Sequence, residues 1–234
     1  MSAVLIVAHG QPSDPAPAEA ALARLAAAVG AELPGWQVGS ATLAAPGALA
    51  AAVQAAGPEG AVFPMFMAGG WFPRVHLPAQ LAAAGAVNWR VLEPFGCLEA
   101  VQELAVQILA ESGAKRALIA AHGSFKSPVP AAIATRVAKA AAARGIAAEC
   151  GFIDQEPKLS ARRGFGTDSL CLPYFAAGGN HVADDIPAAL AGAGFQGRLL
   201  PALGLDPRVP ALIAEAIRAG RGICEAGCRA AVAG

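Results

Sequence analysis

The sequence predicts an α/β protein made of two similar halves, each a four-stranded, mainly parallel sheet flanked by helices. Short apolar runs alternate along the 234 residues with longer Ala- and Leu-rich segments of helical period, the pattern of βα units that feed a parallel sheet. A set of short motifs also occurs twice, in the same order. Neither signal depends on the other.

In order, strands are expected at 3–8, 36–43, 60–66 and 89–93, each a short run rich in apolar or β-branched residues. Helices are expected between and after them at 15–30, 47–56, 78–85 and 98–112, where Ala and Leu dominate. The second half repeats the scheme with strands at 116–121, 147–153, 168–174 and 197–201 and helices at 129–144, 184–193 and 207–220. Asp184 and Asp185, ahead of Pro187, are suited to the first turn of a helix, where carboxylates favour the exposed N–H groups.

The repeat fixes the organisation. Residues 7–10 (VAHG) recur as 120–123 (AAHG), and 64–70 (PMFMAGG) recur as 173–179 (PYFAAGG). Pro78 and Pro187 follow the last pair at the same spacing, and 92–96 (LEPFG) are echoed by 199–204 (LLPALG) with one residue inserted. The expected domains are 1–113 and 114–234, joined near 111–115 without a low-complexity linker. Two such halves are expected to face each other across a cleft. Open α/β sheets bind ligands outside the carboxyl ends of their strands, which is where the repeated motifs fall.

Bulk composition excludes several classes. Hydrophobic residues make up 56% of the chain and the mean hydropathy is +0.49, yet the apolar stretch at 61–73 is broken by Pro64 and a Gly pair, short of the roughly 20 residues a membrane span needs. No basic segment precedes the first apolar run, so no signal peptide is expected and the address is cytoplasmic. Lys plus Arg and Asp plus Glu balance at 17 each, which argues against a nucleic-acid surface. Cys150 and Cys171 stand in strand-like contexts where thiols are inert; the C-x3-C spacing of Cys224 and Cys228 would suit one helical face, but two ligands do not close a metal site.

The chemistry concentrates in the histidines. All four (His9, His76, His122 and His181) lie in the repeated motifs. His122 follows the strand 116–121 and His181 lies in the loop after 168–174, so both are expected to project from strand ends. Neutral imidazole is a good ligand for Fe, Co, Ni or Zn, and two imidazoles with open positions can hold a metal that must later be released. Asp154, at the end of the strand 147–153, is a candidate oxygen ligand. Gly178 and Gly179 allow unusual backbone angles or the close approach of a flat ligand.

With those residues in view, 4–10 (VLIVAHG), 118–124 (LIAAHGS), 151–157 (GFIDQEP) and 172–187 (LPYFAAGGNHVADDIP) resemble the sirohydrochlorin chelatases of the CbiX type, class II chelatases, over nearly the whole chain. The resemblance implies two chelatase-like lobes and insertion of Co²⁺ or Fe²⁺, with Ni²⁺ also compatible, into sirohydrochlorin. That reaction is a step towards cobalamin or sirohaem. The metal is then a substrate, no organic cofactor is implied, and the partner is a tetrapyrrole. Carried over, His122 and His181 bind metal and help remove the pyrrole protons, and Asp154 matches an acidic position usually held by glutamate. In the first half His9 matches the first histidine, Phe72 stands at the second, His76 stands where the family has an aspartate, and Thr42 or Leu43 stands near the acidic position. That half has lost the pair and is expected to wall the macrocycle with His9, Met65, Trp71 and Phe72. His76 is a possible replacement ligand. Arg74, Lys126, Lys158, Arg162 and Arg163 are candidate contacts for peripheral carboxylates, and Ser124, Gly178, Gly179 and Asn180 for the substrate.

Dinucleotide binding is poorly supported, since no G-x-G-x-x-G follows the first strand, and alanine in place of arginine before His9 and His122 argues against a phosphohistidine mechanism. The rival reading is a metal or tetrapyrrole carrier without catalysis, favoured by the altered first half. A duplicated chain can supply both lobes itself, so a monomer is expected.

Overall fold

The computed structural model describes residues 2–223; Cys224 and Cys228 lie outside the described residues. The described chain falls into two units. One holds the residues up to Leu98 together with those from Pro207 onward, and the other is Glu99–Asp206.

The first unit contains β1 (Ser2–Ala8), α1 (Pro15–Glu32), β2 (Trp36–Thr42), α2 (Ala48–Ala56), β3 (Glu59–Pro64), α3 (Leu77–Ala83) and β4 (Asn88–Val91). Its sheet runs β2-β1-β3-β4 and is parallel throughout. The central strand β1 is covered on both faces, with Val4, Leu5, Ile6 and Val7 all buried, as its unbroken apolar run requires. The second unit contains α4 (Glu99–Glu111), β5 (Arg116–Ala121), α5 (Val129–Ala143), β6 (Ala147–Phe152), β7 (Ser169–Pro173), α6 (Ile186–Gly192) and β8 (Arg198–Leu199). Its sheet order, β6-β5-β7-β8, has the same form and is again all parallel. Burial pushes the Cys150 thiol up to about 11 and the Cys171 thiol to about 12, so both behave as small apolar side chains.

The last helix of the described residues, α7 (Val209–Ala219), packs on α1 in the first unit, burying Val209, Ile213, Ala214 and Ile217. Helix α4 packs on α5 in the second unit with Val101, Leu104, Ala105 and Leu109 buried. The expected boundary at 113 therefore moves. A repeat in sequence gives the order of elements, but which helix each apolar face meets is decided by packing.

A second difference lies just before α3 and α6, where the sequence reading has loop or plain helix. Both helices are preceded by a π turn, Phe72–His76 and His181–Asp185, closed by Leu77 N–H donating to the Phe72 carbonyl and Ile186 N–H to the His181 carbonyl. The repeated prolines account for it. Pro78 and Pro187 lack an N–H and crowd the carbonyl four residues back, which opens the turn by one residue. Strand β8 is shorter than expected, although Leu200 N–H still donates to Cys171 at 2.9 Å.

Candidate metal centre

In the second unit a strand end, a neighbouring strand end and the π turn bring one group of side chains together. β5 stops at Ala121, so His122 leaves the carboxyl edge of the sheet and Gly123 turns the chain at once. Gly123 has φ +74°, and a Cβ there would stand 2.6 Å from Gln155 Cγ, a combination only glycine tolerates. Asp154 N–H donates to the His122 carbonyl at 2.9 Å, which sets the Asp154 carboxylate beside the ring, 3.5 Å from Nδ1. His181 comes from the π turn after β7. Its ring meets that of His122 edge to face, centroids 4.8 Å apart at 86°.

Each imidazole has an acceptor at Nδ1. His181 Nδ1 lies 2.6 Å from Asp185 Oδ2, and His122 Nδ1 lies 3.0 Å from the Gly123 carbonyl. An acceptor there selects the tautomer protonated on Nδ1 and leaves the Nε2 lone pair of each ring to bind a cation. The His122 and His181 side chains are 43% and 50% exposed, so an ion can reach them from solvent. Among the described residues no three His, Cys, Asp or Glu side chains form a closed ligand set. The arrangement is two imidazoles, each backed by a carboxylate, with open positions. Asp185 corrects the sequence reading: it occupies the N-cap position of α6 but makes no side-chain cap bond, and its carboxylate goes to His181. The signal for it was the four-residue spacing from His181, which the π turn uses to set the two side by side.

A solved structure described as that of "CbiX, the terminal Enzyme for Biosynthesis of Siroheme in Denitrifying Bacteria" is 47% identical, covers 92% of this chain and 98% of its own, and has a TM-score of 0.86. The chain belongs to the CbiX family. A family model described as CbiX matches residues 116–219, the part that carries both histidines of the pair. SirB from Bacillus subtilis with Fe³⁺ is 17% identical (TM-score 0.69, 93% of this chain, 95% of that one). The sirohydrochlorin chelatase SirB from Bacillus subtilis subspecies spizizenii in complex with cobalt is 21% identical (0.66, 93% and 94%). Both share the fold. Comparison with curated proteins gave no match.

The first unit of this CbiX-family chain keeps the geometry and changes the side chains. His9 and Phe72 meet edge to face at 4.7 Å, as His122 and His181 do. Phe66 lies 6.0 Å from Phe72, as Phe175 lies 6.3 Å from His181. His76 takes the place of Asp185, four residues on, and is stacked on Trp71 at 5.1 Å and edge-on to Phe72 at 5.4 Å. The acidic position is filled by Ala44, whose N–H donates to His9 at 2.8 Å as that of Asp154 does to His122; Thr42 and Leu43 are the preceding residues. Burial, and then the charge of His76, lowers the His9 pKa from its ordinary value.

The remaining expected contacts divide. Trp71 is 58% exposed and presents its ring, whereas Met65 is buried in the core and cannot wall a ligand. Arg74 Nε donates to the Gly69 carbonyl at 2.5 Å within its own loop. The Ser124 hydroxyl accepts from Lys126 N–H at 3.1 Å. Arg162 is held by Glu149 and the Cys150 carbonyl, and Arg163 by the Ser160 carbonyl. Gly178, Gly179 and Asn180 are exposed on the loop that leads to His181, with Gly179 at φ +148°. No helix among the described residues is long and apolar enough to cross a membrane.

Proposed function

We propose that this chain is a sirohydrochlorin chelatase, inserting Fe²⁺ or Co²⁺ into the macrocycle as a monomer in the cytoplasm, with the second unit supplying the chemistry. The observation that carries this reading is the His122–His181 pair, each ring backed by a carboxylate and left open at Nε2. The 47% identical relative, a CbiX of siroheme biosynthesis, supports the same substrate class.

The metal binds to Nε2 of His122 and His181; Asp154, expected from the sequence as an oxygen ligand, lies instead beside His122 Nδ1 at 3.5 Å and supports that ring. A site of two imidazoles with open positions holds a divalent ion loosely enough to give it up. As the ion passes to the ring, two pyrrole N–H protons must leave, so one M²⁺ enters for two H⁺. The imidazoles, freed of metal, accept these protons as general bases. Asp185 stabilises His181 while it carries the proton, and Asp154 does so for His122. His9, Trp71, Phe72 and His76 form an aromatic cluster suited to ring contact rather than to ligation.

Anaerobic absorbance assays of Co²⁺ and Fe²⁺ insertion, comparing wild type with His122→Ala and His181→Ala, test the proposal. Acceleration over the spontaneous rate that both variants lose supports it. Tetrapyrrole or metal binding without acceleration would leave the carrier reading, which the Phe72 replacement favours, in its place.

A further inference from the structure

The histidine pair is flanked along the carboxyl edge of its sheet by two exposed apolar side chains and a cation that no step above uses. Phe125, three residues after His122, is 80% exposed, the highest value among the large apolar residues of the described chain. Its loop is not loose: Ser124 N–H donates to Gln155 Oε1 at 2.8 Å and Lys126 N–H to Ser124 Oγ at 3.1 Å. The ammonium of Lys158 lies 5.2 Å from the centre of the Phe125 ring and donates to the Ile153 carbonyl at 2.8 Å, one residue before Asp154. On the other side, Leu205 is 57% exposed and stands against the Gly178 position, 3.9 Å from where a Cβ would be. The sheet order β6-β5-β7-β8 makes this a frame. Phe125 and Lys158 lie over the β5 and β6 ends, Leu205 lies beyond the β7 and β8 ends, and the two histidines stand between.

We propose that Phe125, Leu205 and Lys158 form the subsite that seats the macrocycle over the histidine pair, the two apolar groups contacting the ring and Lys158 a peripheral carboxylate. This rests on the function proposed above. An exposed phenyl held by a pinned loop loses little entropy on meeting a flat apolar ligand. The cation at its edge selects for an anionic one, and the N–H donors Lys158 does not spend on Ile153 remain for a carboxylate. The first unit lacks the device, since Pro12 follows His9 at the spacing that separates Phe125 from His122. Among the described residues this frame stands beside the intact pair only.

The test measures KM and kcat for sirohydrochlorin at fixed Co²⁺ in wild type, Phe125→Ala, Lys158→Gln, Lys158→Arg and the control Val87→Ser, an exposed residue far along the chain from the pair. Phe125→Ala is expected to raise KM about tenfold and Lys158→Gln about threefold, with kcat falling far less. Lys158→Arg should restore the wild-type KM, and Co²⁺ bound without tetrapyrrole should give one visible spectrum for all five proteins. An active enzyme whose KM is unmoved by both substitutions overturns the subsite, as does a fall in kcat together with a changed Co²⁺ spectrum. If wild type inserts no metal, the proposed function fails separately. The subsite is then decided by titrating sirohydrochlorin without metal, where equal affinity of wild type and Phe125→Ala overturns it.

Discussion

His122 with His181 and His9 with Phe72 are two versions of one local structure. The ring separations, 4.8 and 4.7 Å, and the edge-to-face approach are nearly the same, yet one pair has two Nε2 lone pairs to offer and the other has one imidazole against a phenyl ring. The scaffold that sets the rings is a strand end followed by glycine, and a π turn opened by proline. It places whatever side chain stands there, and ligation is an added property of the side chains. The same holds one position further out, where Asp185 supports His181 but His76 merely packs on Phe72 and Trp71.

The sharpest way to break this comparison is to remove one histidine from each unit. His122→Ala is expected to lower the insertion rate by about 100-fold or more, the scale of a lost ligand and proton acceptor, and His9→Ala by far less, in a side-by-side initial-rate assay. Equal losses would mean that both units carry chemistry. A second test concerns the supporting carboxylate. Asp185→Asn leaves the shape but removes the charge behind His181, and should weaken Co²⁺ binding by about tenfold when read by equilibrium dialysis, whereas His76→Ala should leave it as in wild type. A third test runs in the direction of gain: Phe72→His with His76→Asp rebuilds the pair and its partner in the first unit. It should raise the bound Co²⁺ from one equivalent towards two, with the new site weaker because Ala44 supplies no carboxylate. The smallest effect is on stability. His9 is held below its ordinary value of 6.5 by burial and by His76, so as pH falls through that value the unfolded chain takes up the proton first. Stability is then lost on the acid side and is fully present above pH 6.5. His9→Gln should flatten the fall in Tm between about pH 7 and 5.5.

Much of this could be read before any coordinates. The alternation of apolar runs with Ala-rich segments placed the strands within a residue or two, apart from the shortened β8, and the repeated AHG and P-x-F-x-A-G-G motifs pointed to His122, His181 and the replacement by Phe72. What escaped was three-dimensional accounting. Ala44 rather than Thr42 or Leu43 fills the acidic position because the strand register, not residue spacing, decides which backbone N–H meets His9. Asp185 looked like helix-start chemistry because its spacing suits both roles, and only the widened turn shows that its carboxylate faces the imidazole. Arg162 looked available for a ligand, but Glu149 in the adjacent strand already holds it. The 113 boundary failed because α4 and α7 each bury an apolar face against a helix that their sequence order does not reveal.

That arrangement of α4 and α7 has a consequence for biogenesis. Among the described residues the unit with the histidine pair is one uninterrupted segment, Glu99–Asp206, while the other needs α7, which follows that segment in the chain and leaves the ribosome after it. During synthesis the downstream-encoded unit can be complete while the upstream one still waits for its closing helix, a reversal of the usual N-to-C order of maturation. The half that carries the histidine pair is thus finished before the half in which Phe72 stands in place of one histidine.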